Sequence, residues 1–337
     1  MLYEITTNYS LLKVKDNKSN RKTFISSLKE PTSGLIISSL TLIVSMPIFI
    51  TFYQLIPIIY LPFSNKLRID HILLFALIFI FIYILIRKLA KLIYVVLAFA
   101  LSGLLISTFT GHYGVRNLYY DYSVMLYNLN ENGIRLKFEE KHDPFSKQAQ
   151  IAVAVNYQNE EVRKIATNWA VKNFKAYQAV TPSLRVLHAM SIFKEVRNRW
   201  NYVYDPKGED YYASASETLS QLESDDLLKG DCDDYSIMIA ALIKATGGET
   251  QLVRTVIKNP DGTLTGHLYP EVKIGGEKDL ETIAYLIKNK FFMKESKDKA
   301  IFYYTDKEDN VWLNFDYNEY YPGGKYQSLY RESVMDI

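Results

Sequence analysis

The chain has 337 residues and is poor in cysteine, with Cys232 as the only one. A single cysteine excludes an intramolecular disulfide and every metal site built from several thiolates. An excess of charge of one sign is also missing, because 39 Lys and Arg residues face 37 Asp and Glu residues. No basic, aromatic-rich stretch favours nucleic acid as a partner. The lone cysteine is therefore either buried and inert or reactive.

Long apolar runs are confined to the first third of the chain. Uncharged runs cover residues 35–61, 72–86 and 92–109, and the first exceeds the roughly 20 residues that cross a bilayer. We therefore expect a basic cytoplasmic tail over residues 1–34 and a transmembrane region of about three helices over residues 35–111. The alternative for the two shorter runs is a buried core hairpin or a re-entrant pair.

Basic residues predict the orientation, because loops rich in Lys and Arg stay in the cytoplasm. The N-terminal tail is basic, and so is the turn that holds Arg87, Lys88 and Lys91. With three spans these segments share the cytoplasmic side, and the chain beyond residue 112 lies in the periplasm or outside the cell. A re-entrant pair would leave that part in the cytoplasm. We expect an integral protein of a bacterial cytoplasmic or inner membrane, with the bilayer as a partner and other membrane proteins as candidate partners.

The soluble remainder has helices first and strands later, which predicts an α+β fold. Residues 112–158 are expected to connect it to the membrane, with a Tyr-rich amphipathic helix near the bilayer surface and two strands within residues 133–155. Residues 159–337 are expected to form one domain in which helices pack on an antiparallel sheet. Apolar spacing predicts its main helices over 160–177, 183–200, 232–246 and 279–292, and its strands over 249–257, 264–274, 300–305 and 311–317.

The sequence GDCDD places Cys232 at the start of one predicted helix. If Asp231 caps this helix, the unpaired N–H groups of the first turn carry partial positive charge, which favours a thiolate there. Asp233 and Asp234 suit the helix dipole, but their negative charge opposes a thiolate. A reactive Cys232 therefore needs a cation beside it, most simply a protonated histidine.

The position of the elements favours His267 among the five histidines. It lies on a predicted strand that follows the Cys232 helix by one strand and one hairpin, so the two elements are expected to pack together. The strand over 311–317 brings Asp316 beside His267, where a carboxylate would orient the imidazole ring. The other four border the apolar runs, occupy a polar turn or lie in a helical core pattern: His71, His112, His142 and His188.

Three separated stretches, GDCDDYSIMIAALIKATGGETQLV, GHLYPEV and VWLNFD, resemble the transglutaminase-like superfamily. The upstream stretch RWNYVYDPKGEDYYASASETL extends the resemblance, which covers about residues 160–324. It implies a papain-like fold. It also implies that Cys232 is the nucleophile, His267 the general base and acid, and Asp316 the orienting acid.

The sequence identifies the group that would stabilise the oxyanion less clearly than it identifies the three catalytic residues. Well-known transglutaminases carry an aromatic residue upstream of the cysteine for this purpose. In this sequence Ala213 or Ser214 falls at the comparable place, with Tyr212 as a substitute, so the backbone N–H of Cys232 is the donor that we expect.

The resemblance implies a thiol acyl-transfer enzyme that forms a thioester and needs neither a cofactor nor a metal. Membrane attachment favours proteins or peptides at the cell envelope as substrates, and the bacterial style of the motif favours a cysteine protease or amidase. The alternatives are a protein-crosslinking transglutaminase and a catalytically silent binding module. A calcium site made by His267 with Asp231, Asp233 and Asp234 is disfavoured, because DCDD lacks the loop and terminal glutamate of a calcium hand.

Overall fold

The computed structural model describes residues 18–56, 60–61, 64–88, 90–111, 113–128, 133–205 and 211–337. The chain divides into two compact units. One unit holds the chain up to Ile56 together with Asp70–Gly103, and the other holds Pro57–Ile69 and Leu104–Ile337. Residues 1–17 of the predicted basic tail and the candidate His112 lie outside the described residues.

Three apolar helices open the chain: α1 (Lys18–Phe52), α2 (Ile69–Lys88) and α3 (Ala90–Phe109). Two stretches, Gly34–Phe52 and Ile69–Lys88, are long and apolar enough to cross a bilayer. The end of α3 is a shorter apolar stretch, Ala98–Phe109. Many of the apolar side chains on these helices are exposed.

The first apolar run, predicted over residues 35–61, is helical only as far as Phe52. A short 3-10 turn follows at Tyr53–Leu55, and Ile56 is extended, with φ −96° and ψ 147°. This is the conformation that the residue before a proline prefers. A two-stranded ribbon then precedes α2: β1 (Tyr60–Leu61) and β2 (Ser64–Arg68).

The second unit contains the predicted α+β domain. Its described helices are α4 (Val115–Asn128), α5 (Gln148–Val155), α6 (Glu160–Lys172), α7 (Leu184–Arg199), α8 (Ala215–Ser220), α9 (Cys232–Ala245) and α10 (Glu277–Leu286). Its further strands are β3 (Ile134–Leu136), β4 (Trp200–Tyr202), β5 (Leu228–Gly230), β6 (Thr250–Lys258), β7 (Leu264–Gly275), β8 (Phe302–Thr305), β9 (Val311–Asn314) and β10 (Arg331–Asp336).

Six of these strands form the main sheet, in the order β10-β6-β7-β9-β8-β3. All neighbours pair antiparallel except β3 and β8, which are parallel. The sheet is therefore mixed, whereas the sequence predicted a purely antiparallel one. Helices cover one face of it, which confirms the predicted α+β architecture with helices packed on a sheet.

Helix α9 is the central element of the helical layer. Its residues from Tyr235 to Ile243 are buried, as expected for a helix that is apolar on all sides. The helix ends in the paired hydrogen bonds of a Schellman motif, from Gly247 N to Lys244 O (2.9 Å) and from Gly248 N to Ile243 O (3.0 Å). Gly247 adopts φ +80°, a conformation that favours glycine.

One prediction for the connecting segment was wrong. Of the two strands predicted within residues 133–155, the first is β3, but the stretch QAQIAVAV forms the helix α5. Buried Ile151, Ala154 and Val155 lie three and four residues apart, and they pack on the same core as α9. A short apolar run fits either period, and here the tertiary contact with α9 selects the helix.

A buried ion pair lies on the face of the sheet opposite the helices. Arg331 on β10 donates from Nη1 to both carboxylate oxygens of Glu271 on β7, at 2.7 and 3.0 Å. Gln251 on β6 also donates to Glu271, at 2.6 Å. Arg331 is 2% exposed and also lies 3.5 Å from Glu140, whereas Glu271 is fully buried and depends on Arg331 for compensation of its charge.

We predict that Arg331→Met destabilises this unit by about 3–5 kcal/mol, because the charge of Glu271 is left buried and unpaired. The double variant Glu271→Gln/Arg331→Met should recover much of this loss, since no buried charge remains. Urea unfolding followed by tryptophan fluorescence measures this, as all three tryptophans lie in the second unit.

Lys273→Met is the matched control. Lys273 pairs with Glu249 at 3.1 Å, but both side chains are partly exposed, so the loss should stay below about 1 kcal/mol. If Arg331→Met costs no more than Lys273→Met, the buried pair does not have the stabilising role assigned to it.

Candidate active site

The first turn of α9 is held by hydrogen bonds from its own acidic residues. Asp231 caps the helix and accepts from the N–H of Asp233 at 3.1 Å. Asp234 accepts from the N–H of Asp231 at 3.4 Å and from the N–H of Ala213 at 2.9 Å. The predicted cap is therefore present, and Asp234 also fastens the helix to the segment that leads into α8.

Gly230 makes this arrangement possible. A Cβ at this position would lie 2.6 Å from Asp234 Oδ2 and 3.0 Å from the ring of Trp200. Strand β5, which ends at Gly230, pairs in parallel with β4 and sets Gly230 opposite Tyr202. The glycine therefore allows β4, β5 and the start of α9 to meet within a few ångströms.

His267 and Asp316 form a buried, hydrogen-bonded pair. Nε2 of His267 lies 2.7 Å from Oδ2 of Asp316, and the two residues are 6% and 5% exposed. Asp316 also accepts from the N–H of Tyr317 and from Nδ2 of Asn318, each at 2.7 Å. These donors fix the carboxylate, and Asp316 in turn fixes the ring of His267.

Cys232 lies in the neighbourhood of the same histidine, and its charge contributes to raising the pKa of His267. Because Nε2 faces Asp316, the other ring nitrogen, Nδ1, is left for the sulfur. The hydroxyl of Ser236 lies 2.6 Å from the carbonyl of Cys232 and 3.0 Å from that of Leu268. This side chain joins the start of α9 directly to the strand that carries His267.

The surroundings of His267 favour its protonated form. Burial alone would lower the pKa of His267, but the charge of Asp316, its hydrogen bond to the ring and the neighbouring Cys232 raise the pKa to about 10. The imidazolium is therefore the form present at neutral pH. It is the cation that the sequence required beside Cys232.

The two acidic residues after Cys232 do not oppose a thiolate as strongly as expected. Burial, followed by its hydrogen bond to Asp231, raises the pKa of Asp233 to about 9, so this carboxyl is neutral at pH 7. Burial raises the pKa of Asp234 to about 6. Their oxygens serve as caps for backbone N–H groups, and at pH 7 the charge is absent from Asp233, whereas Asp234, whose pKa lies below 7, keeps most of its charge.

Tyrosines form a wall of the site that the sequence reasoning missed. The ring of Tyr202 packs at a tilt against that of Tyr317, with a centroid distance of 4.9 Å, and Tyr317 packs edge-on against His267 at 5.9 Å. Burial, and after it the charge of Cys232, raises the pKa of Tyr202. The hydroxyl of Tyr202 therefore lies close enough to Cys232 for the charge of the sulfur to affect it. Tyr202 is the fourth residue of the stretch RWNYVYD, which belongs to the resemblance, and Tyr317 directly follows Asp316. Their closeness to the motifs is the signal that could have identified them.

The upstream residues considered for the oxyanion have other contacts. The hydroxyl of Tyr212 accepts from Nη2 of Arg254 at 3.2 Å. Ser214 caps α8, where it accepts from the N–H of Glu217 at 3.2 Å, and Ala213 donates its N–H to Asp234. Tyr202 approaches Cys232 from β4 instead.

A metal ion has one conceivable position among the described residues. The ligand atoms of Asp231, Cys232 and Asp233 lie within 4.8 Å of one another. However, the carboxylates of Asp231 and Asp233 each accept a backbone N–H, and His267 faces Asp316. The group therefore functions as a helix cap in this structure.

Residues 172–317 match the family model of the Transglutaminase-like superfamily. This part of the chain is a transglutaminase-like domain. The match confirms the resemblance seen in the sequence, and the matched range includes Cys232, His267 and Asp316. Both β3 and β10 lie outside the transglutaminase-like match, although they belong to the same sheet.

The search among solved structures finds a candidate cysteine protease from Cytophaga hutchinsonii, with 12% identity and a TM-score of 0.30. The similarity covers 58% of this chain and 51% of the other, so the chain spans about half the length of that protein. A likeness of this extent identifies no activity. No curated protein matches the chain.

We predict that Asp316→Asn lowers the pKa of His267, because the amide keeps the size of the side chain but removes its charge. In the wild type, protonated His267 stabilises the fold fully below about pH 6.5, its unfolded pKa, and this stabilisation is lost as the pH rises through about 10. The variant should lose it at lower pH.

NMR titration of ¹⁵N-labelled imidazole rings in the full chain measures the change. His188 is the internal control, since burial lowers its pKa without a contribution from Asp316. An unchanged titration of His267 in Asp316→Asn would show that the carboxylate does not set its pKa.

Proposed function

We propose that the protein is a membrane-anchored thiol acyl-transfer enzyme, a cysteine protease or amidase that acts on proteins or peptides at the cell envelope. One observation supports this above all: His267 is hydrogen-bonded to the buried Asp316 and lies near Cys232, which stands at a helix N-terminus. The transglutaminase-like domain supports the same chemistry at the level of the superfamily.

In the first step the Cys232 thiolate attacks the amide carbonyl carbon. A C–S bond forms and the carbonyl oxygen becomes an oxyanion. His267, held protonated by Asp316, gives its Nδ1 proton to the leaving nitrogen as the C–N bond breaks. The products are a thioester on Cys232 and a free amine.

Two groups are suited to stabilise the oxyanion. The N–H of Cys232 belongs to the first turn of α9, where an α-helix provides no carbonyl partner. The hydroxyl of Tyr202 is held near the sulfur by its contact with Tyr317. Donors fixed before the reaction stabilise developing charge without reorganisation.

In the second step water resolves the thioester. Neutral His267 takes a proton from the water, the hydroxide oxygen bonds to the acyl carbon, and the thiolate leaves. The protonated histidine and the thiolate are then restored, and the product is a carboxylic acid. An amine in place of water would give transamidation, so the acyl acceptor separates the two reaction types.

The domain organisation is proposed along with the activity. The tail over residues 1–34 is cytoplasmic, and residues 35–111 form the transmembrane region. Residues 112–158 connect this region to the catalytic domain, which comprises residues 159–337. The two helices long enough to cross a bilayer support the anchor. With α3 as a third span, the basic turn at Arg87 and Lys88 supports a catalytic domain on the periplasmic or extracellular side.

We predict that a peptide probe carrying a thiol-reactive amide mimic labels wild-type Cys232, and that His267→Ala slows the labelling by about 10²–10⁴-fold. The rate of labelling, followed by mass spectrometry, tests thiolate activation. Thr265→Ala, an exposed change on the same strand, is the matched control and should label at the wild-type rate.

Full-rate labelling in His267→Ala would refute the proposed activation. The acceptor is tested separately, by incubating peptide substrates with a fluorescent primary amine. Release of acid without amine incorporation is expected, whereas incorporation would identify a transglutaminase. Labelling without any amide turnover would identify a silent binding module.

The topology gives a further expected outcome. In a Cys232→Ala background, a cysteine added at the C-terminus should react with a membrane-impermeant maleimide in intact cells. Lys88→Cys is the control for the opposite side and should react only after lysis. C-terminal labelling that also requires lysis would place the domain in the cytoplasm.

A further inference from the structure

Helix α4 has two opposite apolar faces. Its inner face buries Val124 and Met125. Its outward stripe consists of Val115, Tyr119, Tyr122 and Leu126, which are exposed or half-buried. These positions are four, three and four residues apart, so they lie on one line along the helix. If α4 contacted only the catalytic domain, its outward stripe would face water and would consist of polar residues.

The inner face fixes which side of α4 is free. Tyr127 packs edge-on against Tyr285 of α10, with a centroid distance of 5.8 Å. Tyr120 packs in the same way against Tyr177, at 5.9 Å, and Asn117 donates to the carbonyl of Ala179 at 2.8 Å. The transglutaminase-like domain therefore covers one side of α4, and the outward stripe points away from it.

The start of α4 is tied to the end of the apolar helix α3. The N–H of Val115 donates to Thr108 Oγ1 at 3.1 Å, and Ser107 Oγ donates to the carbonyl of Tyr113 at 2.5 Å. A Cβ at Gly114 would lie 2.8 Å from the Cα of Thr108, so the glycine allows the backbones to touch. These contacts make the α3–α4 corner rigid.

The end of α3 needs apolar surroundings. In its last turn Ile106 is 64% exposed and Phe109 is 88% exposed. Only five residues lie between Phe109 and Val115, so the outward stripe of α4 begins directly after this apolar surface along the chain. This continuity favours one occupant, the bilayer, over a second protein.

We propose that α4 lies in the headgroup region of the bilayer, with its outward stripe inserted and its inner face carrying the catalytic domain. The composition of the stripe fits this location, because Tyr has an apolar ring and a polar tip and is enriched at membrane interfaces, while Val and Leu enter the acyl boundary. The proposal rests on the membrane anchor proposed above. It makes the lipid surface a structural partner of the domain and holds the site at a fixed distance from the membrane.

The single cysteine makes a direct test simple. In the full chain with Cys232→Ala, one cysteine is placed at Tyr119, labelled with the environment-sensitive dye NBD, and reconstituted in phosphatidylglycerol/phosphatidylcholine nanodiscs. Two matched labels are Ile106→Cys, on the apolar helix, and Leu264→Cys, an apolar position of similar exposure (64%, against 60% for Tyr119) at the tip of a hairpin. Lipids brominated near the headgroup then report contact.

We expect the brominated lipid to quench residues 119 and 106 to a comparable fraction and to leave residue 264 unchanged. Quenching at 106 without quenching at 119 overturns the docking of α4 while the anchor stands. Absence of quenching at both 106 and 119 overturns the anchor and the docking together. A 119 label that is shielded from an aqueous quencher only at high protein concentration, without lipid quenching, identifies a second copy as the occupant and also overturns the proposal.

Discussion

The attachment of the first turn of α9 to strand β7 is the constraint on which the site depends. Ser236 joins the carbonyl of Cys232 to that of Leu268, the residue after His267. Asp234 and Gly230 fix the same turn from the other side. Because this end of a largely buried helix is held in this way, packing fixes the start of α9, and with it Cys232, relative to the strand that carries His267.

Charge at the site is controlled more by burial than by the count of acidic residues. Four carboxyls lie in the neighbourhood of Cys232, yet only Asp316 is engaged directly by the imidazolium. Asp233 is kept neutral by burial, and its oxygen caps a backbone N–H. The sequence shows three of these carboxyls next to the cysteine, those of Asp231, Asp233 and Asp234. It does not show how far each carboxyl is removed from water on folding, which decides its pKa. This explains why the electrostatic conflict inferred from GDCDD is weaker in the structure, where Asp233 is uncharged at pH 7.

How much could be predicted depends on how far apart in the sequence the interacting residues lie. Helix α9, its cap and its glycine stop are local in sequence, and their bounds were predicted within a residue. The approach of His267 and Asp316 followed from the order of strands β7 and β9. Tyr202 comes to the site through a parallel pairing of two three-residue strands, which no periodicity reveals. The helix α5 was mistaken for a strand because its eight residues, six of them apolar, fit either period until a neighbour selects one.

The two outermost strands of the main sheet have a consequence for the limits of the domain. Strand β3 closes one edge and β10 the other, and both come from outside the residues that match the superfamily. A fragment cut to residues 172–317 would expose backbone donors and acceptors along both edges, and it would strip Glu271 of its only buried cation. Such edges pair readily with other chains. The smallest autonomous unit of this fold is therefore larger than its recognisable motif, since flanking segments protect it from self-association.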